Sequence, residues 1–261
     1  MNRRLAALLI AWLLLPVTAL ADERPAVVII IDDMGDALHA GQRVRDLPGP
    51  VVCALLPHSP HAERLARECH ADGKEVMLHQ PMQAMNGADS GLGSVTLDMD
   101  QEQFKRQVED NIASLPYVSA LNNHMGSLLT QHPGHMGWLM DVLRRHEREL
   151  VFVDSRTSPR TVAEQMAREA DVPALRRDVF LDHEPDVASI RRQFLLLVDL
   201  ARRHGSAVAI GHPYPETLAV LEEELPRLRD TYGLRLVSLR ELLAERGDSA
   251  TTPTALADGG D

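Results

Sequence analysis

Ala26-Val-Val-Ile-Ile-Ile-Asp32-Asp33-Met34-Gly35-Asp36 decides how this chain is read. Residues 26–31 are apolar without interruption, five of them β-branched, and they stop at two adjacent carboxylates. An apolar run this short predicts a strand buried on both faces, as in a parallel sheet. Asp32 and Asp33 then emerge at its C-terminal end, the edge where open α/β sheets and α/β barrels hold their active sites. Neighbouring strand residues face opposite ways, so the two carboxylates are expected to have different tasks. Two like charges side by side also cost stability unless a cation or hydrogen bonds compensate. A pair of capping acids on a strand-to-helix turn is the plain alternative.

Upstream of this stretch, Arg3 and Arg4 precede an apolar core over 5–15, and Ala19-Leu20-Ala21 offers a small-x-small cleavage site. That pattern predicts a signal peptide over 1–21. The core is short for a membrane span and Asp22-Glu23-Arg24 follows at once, although a retained anchor is the alternative. The expectation is an exported, periplasmic protein with no stable membrane span after cleavage. About 240 residues then remain, enough for one large α/β domain. Cleavage removes two cations and no acids, taking the formal net charge from −11 to −13. That balance argues against nucleic acid or anionic lipid as a partner. Aromatic residues make up 3% of the chain, too few for a long glycan track lined with Trp. Cys53 and Cys69 are the only cysteines. An oxidising compartment permits a disulfide between them, but a strand and the following helix would equally hold two buried thiols.

Downstream, apolar runs predict further strands at 51–56, 75–78, 118–121, 150–153, 178–181, 207–210 and 234–237, with helices between them. No repeat or linker divides the chain. One domain over 22–246 is expected, followed by a disordered tail over 247–261. Six of the first seven strands end in Asp, Asn or His. A barrel brings every strand end to one mouth, so an irregular (β/α) barrel of seven to eight strands is expected rather than a doubly wound sheet.

Among those ends, Asp33, His79 and His124 have metal-ligand chemistry. Singly, each histidine reads as a capping or core-edge residue. Together at one edge with Asp33 they form a two-imidazole, one-carboxylate set of the kind that binds zinc and leaves a position for water. The expected cofactor is therefore zinc or another divalent transition metal.

These residues resemble the polysaccharide deacetylases with a NodB-type domain, in particular their divergent branch from bacterial envelopes. Val28-Ile-Ile-Ile-Asp32-Asp33-Met34-Gly35 is similar to the family's first motif, a strand followed by Asp-Asp-Gly, with Met34 inserted. The resemblance implies that Asp32 is the catalytic base and Asp33 a metal ligand. Gly73-Lys-Glu-Val-Met-Leu-His79 is similar to the run that opens the second motif, which would make His79 the first metal histidine. Four residues on, where the family has its second histidine, this chain has Gln83. His124, in Asn122-Asn-His124-Met-Gly126, is expected to replace that imidazole from another strand. Asp154 stands where the fourth motif begins, without the family's Trp. With Arg156 it is expected to orient Asp32, an ordinary surface ion pair being the alternative. Gly211-His212 resembles the fifth motif, whose histidine is the general acid. Asp182 is expected to orient His212 or to line the mouth, a helix cap being the alternative.

The implied function is exported, metal-dependent removal of acetyl groups from an envelope glycan. The alternative is a protein that keeps the fold, has lost turnover, and binds glycan or an envelope partner. Backbone N–H groups near Asn123 or Ser155 are candidates for holding an oxyanion. No Lys or Arg cluster is evident at the strand ends, which disfavours a phosphoesterase.

Overall fold

The computed structural model describes residues 22–251, so the expected leader over 1–21 lies outside the described residues, as do 252–261. The opening stretch forms β1 (Ala26–Met34), an interior strand of a parallel sheet. There follow α1 (Leu38–Asp46), β2 (Val52–Leu55), α2 (Ala62–Ala71) and β3 (Val76–Met82). A loop leads to α3 (Gln101–Ala113), which starts at a capping box between Asp100 and Gln103. Next come β4 (Val118–Met125), α4 (Pro133–Arg145) with proline in its first turn, β5 (Val151–Asp154) and α5 (Ala163–Glu169). The chain continues through β6 (Ala174–Arg176), β7 (Val179–Phe180) and α6 (Val187–His204). Asp186 caps the start of α6 through the Ala188 and Ser189 N–H groups, and Gly205 ends it at φ 80°. Last are β8 (Ser206–Gly211), α7 (Pro215–Glu224), β9 (Arg235–Leu236) and α8 (Leu239–Thr251). Among the described residues no helix is long and apolar enough to cross a membrane.

The strands pair in the order β6-β5-β4-β3-β2-β1-β8-β7, with β9 added beside β1. The two ends of that path, β6 and β7, are joined by only Arg177 and Asp178. Laid flat, eight strands would separate their outer members by about 34 Å. A link of this length spans only about 11 Å. The sheet therefore curls into a barrel whose seam is closed by the chain itself, in agreement with the expected (β/α) barrel.

Strand alternation sorts the core into two layers. Ala26, Val28 and Ile30 join Val52, Ala54, Met77, Ala120, Val151, Val153, Val208 and Ile210 inside the barrel. Val27, Ile29 and Ile31 belong to the larger layer shared with Leu65, Phe104 and Phe194 of the surrounding helices. Leu239 and Leu242 of α8 add to the inner layer, and the Leu239 N–H donates to Glu75 Oε2 just before β3. α8 thereby closes the N-terminal end and leaves the C-terminal end as the mouth.

Three expectations are corrected. β1, β3 and β4 run through their polar residues rather than stopping before them, because the β3–β4 ladder continues to Met82 opposite Met125. β2 ends opposite Leu78, so Pro81 lies where β3 has lost that neighbour and its missing N–H breaks no ladder. The strand expected at 178–181 is the short β7, and β6 before it is too brief to show an alternation. The tail expected from 247 begins inside α8, which is helical to Thr251. Cys53 and Cys69 are both buried free thiols.

Gly35, at φ 128°, turns the chain out of β1, and its carbonyl accepts the His61 N–H at 2.9 Å beside α2. A Cβ there would lie 1.9 Å from Ser59 Oγ in a backbone region closed to other residues. Gly35→Ala should lower the unfolding free energy by more than about 1 kcal/mol, read from urea denaturation. An unchanged midpoint would show that this turn does not need glycine.

Candidate functional site

Counting along the inward-facing residues leads directly to the mouth. Ile30 is followed two residues later by Asp32, Met77 by His79, Ala120 by Asn122 and then His124, and Ile210 by His212. The apolar interior is thus topped by polar side chains held on strands, or in the case of His212 one residue beyond the end of β8. Asp33 is the exception, since regular alternation would turn it toward the helices with Ile31. Its φ of 52° and the break in β1–β2 register between Ile31 and Met34 prevent this. The irregularity re-aims Asp33, and both neighbouring carboxylates reach the mouth.

Three donor atoms meet there. Asp33 Oδ1 lies 3.1 Å from His79 Nε2 and 2.9 Å from His124 Nδ1, and the two nitrogens are 3.1 Å apart. Asp33 Oδ1 is buried, yet no hydrogen bond is properly directed at it. Donors bound to one zinc-like ion at 2.0–2.2 Å sit about 3.3–3.6 Å from one another at tetrahedral angles, closing to about 2.8–3.1 Å as the angles approach 90°. The triangle matches the closer spacing, and the orphaned oxygen is what a ligand atom would look like. Asp33, His79 and His124 are also the residues whose ligand atoms group closely enough to hold an ion among the described residues.

The surrounding bonds orient this set. His79 Nδ1 donates to Asn122 Oδ1 at 2.7 Å, which turns Nε2 toward Asp33. The same Asn122 donates through Nδ2 to Asp32 Oδ1 at 2.8 Å, so one amide holds both a metal-type histidine and the neighbouring carboxylate. Burial pushes the Asp32 carboxyl up, partly offset by the charges of His79 and His212 and by the Asn122 bond. Burial alone would depress His79, but Asp32 and Asp33 outweigh it and raise the imidazole to about 9. Asp33 is held well below the usual carboxylate range, its burial outweighed by contacts with His124 and His79.

His212 stands on the far side, with Nε2 3.6 Å from Asp33 Oδ2. Its Nδ1 donates to Asp182 Oδ1 at 2.9 Å, while Asp182 Oδ2 accepts the His212 N–H at 2.6 Å and the Thr217 hydroxyl at 2.8 Å. Asp182 thus orients His212 and does not cap a helix. Burial would lower the His212 pKa, but the Asp182 carboxylate outweighs it and the imidazole is raised. Tyr214 stacks on the ring at 5.3 Å and Phe180 meets it edge-on at 5.5 Å.

Other expected residues are placed elsewhere. Asp154 follows Phe152 on the outward side of β5, so it does not line the mouth. Its carboxylate is taken by the Arg156 N–H at 2.8 Å and the Thr161 hydroxyl at 2.9 Å, and it neither orients Asp32 nor pairs with the Arg156 guanidinium. Gln83 accepts the Leu97 N–H through Oε1 at 2.8 Å and serves the loop. The Ser155 N–H donates to Asn123 Oδ1 at 2.9 Å, which removes it as an oxyanion donor.

A cavity of about 410 Å³ opens between the Asp32, His79, His124 and His212 wall and a wall formed by Ser155, Arg156 and Arg177. This corrects the expectation that no Lys or Arg cluster converges on the mouth. Arg177, unforeseen in the sequence, sits in the seam link, with its Nε donating to the Ser155 carbonyl at 2.6 Å and its guanidinium 4.8 Å from the Phe180 ring centre. A lone Arg-Asp link between two very short strands gives no pattern by which to find it.

Comparison with known proteins is consistent with this architecture. The profile of a family described as divergent polysaccharide deacetylase matches residues 29–243. The chain is 36% identical over 227 residues to the uncharacterised protein YibQ of Escherichia coli (strain K12), covering 87% of this chain and 70% of that one. It is 34% identical over 225 residues to an uncharacterised protein of Haemophilus influenzae, covering 86% and 79%. The crystal structure of the uncharacterised protein ATU2773 from Agrobacterium tumefaciens C58 shares the fold with a TM-score of 0.78 at 22% identity, over 84% of this chain and 89% of that one.

If the donor triangle holds an ion, His124→Ala should cut zinc affinity by about 10- to 100-fold or more, whereas Gln83→Ala should keep it. Metal content after dialysis, read by elemental analysis, checks both. Loss of metal in Gln83→Ala with retention in His124→Ala would reverse the assignment.

Proposed function

The chain belongs to the divergent polysaccharide deacetylase family, and from that premise we propose that it is an exported, metal-dependent hydrolase that removes acetyl groups from an envelope glycan. The observation that carries this reading is the triangle of Asp33 Oδ1, His79 Nε2 and His124 Nδ1, flanked by Asp32 and His212 across one cavity. A divalent metal held by these three residues would supply Lewis acidity for the acyl carbonyl and bring water toward ionisation at neutral pH.

The remaining work falls to side chains of this protein. Asp32, fixed by the Asn122 amide, is positioned to take the proton of the attacking water. Burial favours that uptake by making its charged form costly. His212 Nε2 points into the cavity, and its Nδ1–H is committed to Asp182, so a proton on Nε2 can pass to the departing nitrogen. An amine is a poor leaving group until it receives that proton. Asp182, itself held by Thr217, keeps the ring in this orientation and stabilises its charged form. Asn122 sets the separation of base and ligand histidine, since its two ends hold Asp32 and His79.

The periplasm is the proposed location, on the strength of Arg3, Arg4, the apolar core over 5–15 and Ala19-Leu20-Ala21. The proposed partner is the acetylated glycan itself.

Two substitutions test the roles by acetate release from acetylated sugars. Asp32→Asn should keep the metal, because Asp33 is the ligand, yet lose about 10²–10⁴-fold in kcat. Retained turnover would remove Asp32 as the base.

His212→Ala should lose far more activity on an N-acetyl amide than on an ester with an activated leaving group, because only the amide needs the proton. Equal losses on the two substrates would exclude the acid role. Metal-loaded wild type that binds acetylated glycan without hydrolysing it would instead make the protein a binder that has kept the fold.

A further inference from the structure

The wall facing Asp32 and His212 is cationic and incompletely satisfied. Ser155 Oγ is buried, lines the cavity and has no hydrogen-bond partner among the described residues. Arg156, next in the chain, is exposed along the same cavity, and its guanidinium makes no ion pair or hydrogen bond among the described residues. Arg177 completes the wall. Its Nε and one terminal nitrogen donate to the Ser155 and Arg156 carbonyls at 2.6 and 3.0 Å, so it clamps the segment that presents the other two.

Ordinary surface chemistry does not account for this arrangement. The chain carries a net charge of −11, yet two guanidinium groups border the cavity, neither paired with a carboxylate among the described residues. Arg156 is held at φ 51°, a conformation that costs energy for a residue other than glycine, and its N–H is fixed by Asp154. Backbone strain, a clamp and a buried unpartnered hydroxyl occur together at three residues on one wall. A neutral acetylated sugar could hydrogen-bond the Ser155 hydroxyl, but it would leave the Arg156 guanidinium without a counter-charge once the cavity lost its water.

We infer that the glycan bound here carries an anionic group, a carboxylate or a phosphate, beside its acylated sugar, and that Ser155 Oγ, Arg156 and Arg177 receive it. This rests on the reading of the same cavity as an acyl hydrolase site. The anion sits across from Asp32 and Asp33, so the carboxylate wall repels it and the arginine wall attracts it. That fixes which way round the sugar enters and presents its acyl group to Asp32 and His212. Arg156 also lines a larger groove, of about 760 Å³, running along the barrel seam. A polymer leaving the mouth passes over Arg156 into that groove.

The experiment uses acetylated oligosaccharides matched except for a carboxylate, a phosphate or neither on the sugar next to the acyl group. kcat/KM is measured for the full chain, and Kd is measured by calorimetry with the same sugars lacking the acetyl group. Charge-assisted hydrogen bonds predict a preference of roughly 10- to 100-fold for an anionic ligand over the neutral one. Arg156→Gln should remove most of that preference and Arg156→Glu should reverse it; neither should unfold the chain, because the side chain bonds nothing among the described residues. Ser155→Ala should narrow the preference, whereas an equal fall in kcat on all three sugars would make its hydroxyl an oxyanion donor and remove it from the anion site. The larger of the two anionic preferences identifies carboxylate or phosphate. Equal binding of charged and neutral sugars, or a preference that Arg156→Glu leaves intact, would overturn the inference. Absence of hydrolysis with the charge preference preserved in Kd would count against the deacetylase reading and leave the anion site standing.

Discussion

The site depends on a single break in strand alternation. A regular strand cannot send two consecutive carboxylates to the same side, because successive side chains point to opposite faces. β1 achieves it by taking Asp33 to φ 52° and shifting its register against β2. Asp32 keeps the inward position that Ile30 prepares, and Asp33 is brought round to His79 and His124. Gly35 then removes the chain from the mouth through a turn that has no room for a side chain. Two aspartates that would repel each other in a plain strand are thereby given separate surroundings, which suits the separate roles proposed for them.

Those surroundings explain how a mouth with buried carboxylates is tolerated. Ionised groups taken out of water are costly unless paired and hydrogen-bonded. Asp32 shares Asn122 with His79, Asp182 is satisfied by three donors, and Asp33 lies against two imidazoles. The acidic groups are therefore compensated locally by histidine. Compensation by histidine is adjustable, since a metal can displace a proton from a ligand imidazole. The arginine wall does not take part in this compensation through direct pairing, which is why its unpartnered groups point to a ligand.

Much of this was legible in the chain. Apolar runs ending in Asp32-Asp33, His79, Asn122-Asn123-His124 and Gly211-His212 located the mouth, because buried strands advertise themselves by unbroken hydrophobicity and their polar ends stand out. The replacement of the imidazole missing at Gln83 by His124 follows the same logic, and the structure brings His124 Nδ1 to His79 Nε2. Asp154 shows where that logic fails. Being polar at a strand end is not enough; Val151 and Val153 take the inward positions, so Asp154 must face out. Arg177 was hidden for a different reason. Its place depends on β6 and β7 meeting across two residues, a long-range closure that no local pattern records.

The central claim is that Asp33, His79 and His124 hold a metal ion. Anomalous-difference density recorded at the zinc edge from crystals grown with stoichiometric zinc tests it most directly. The account predicts one peak enclosed by Asp33 Oδ1, His79 Nε2 and His124 Nδ1, at about 2.0–2.2 Å from each. A zinc-loaded crystal with no peak between these atoms, or with the ion bound elsewhere while they remain in contact with one another, would contradict it.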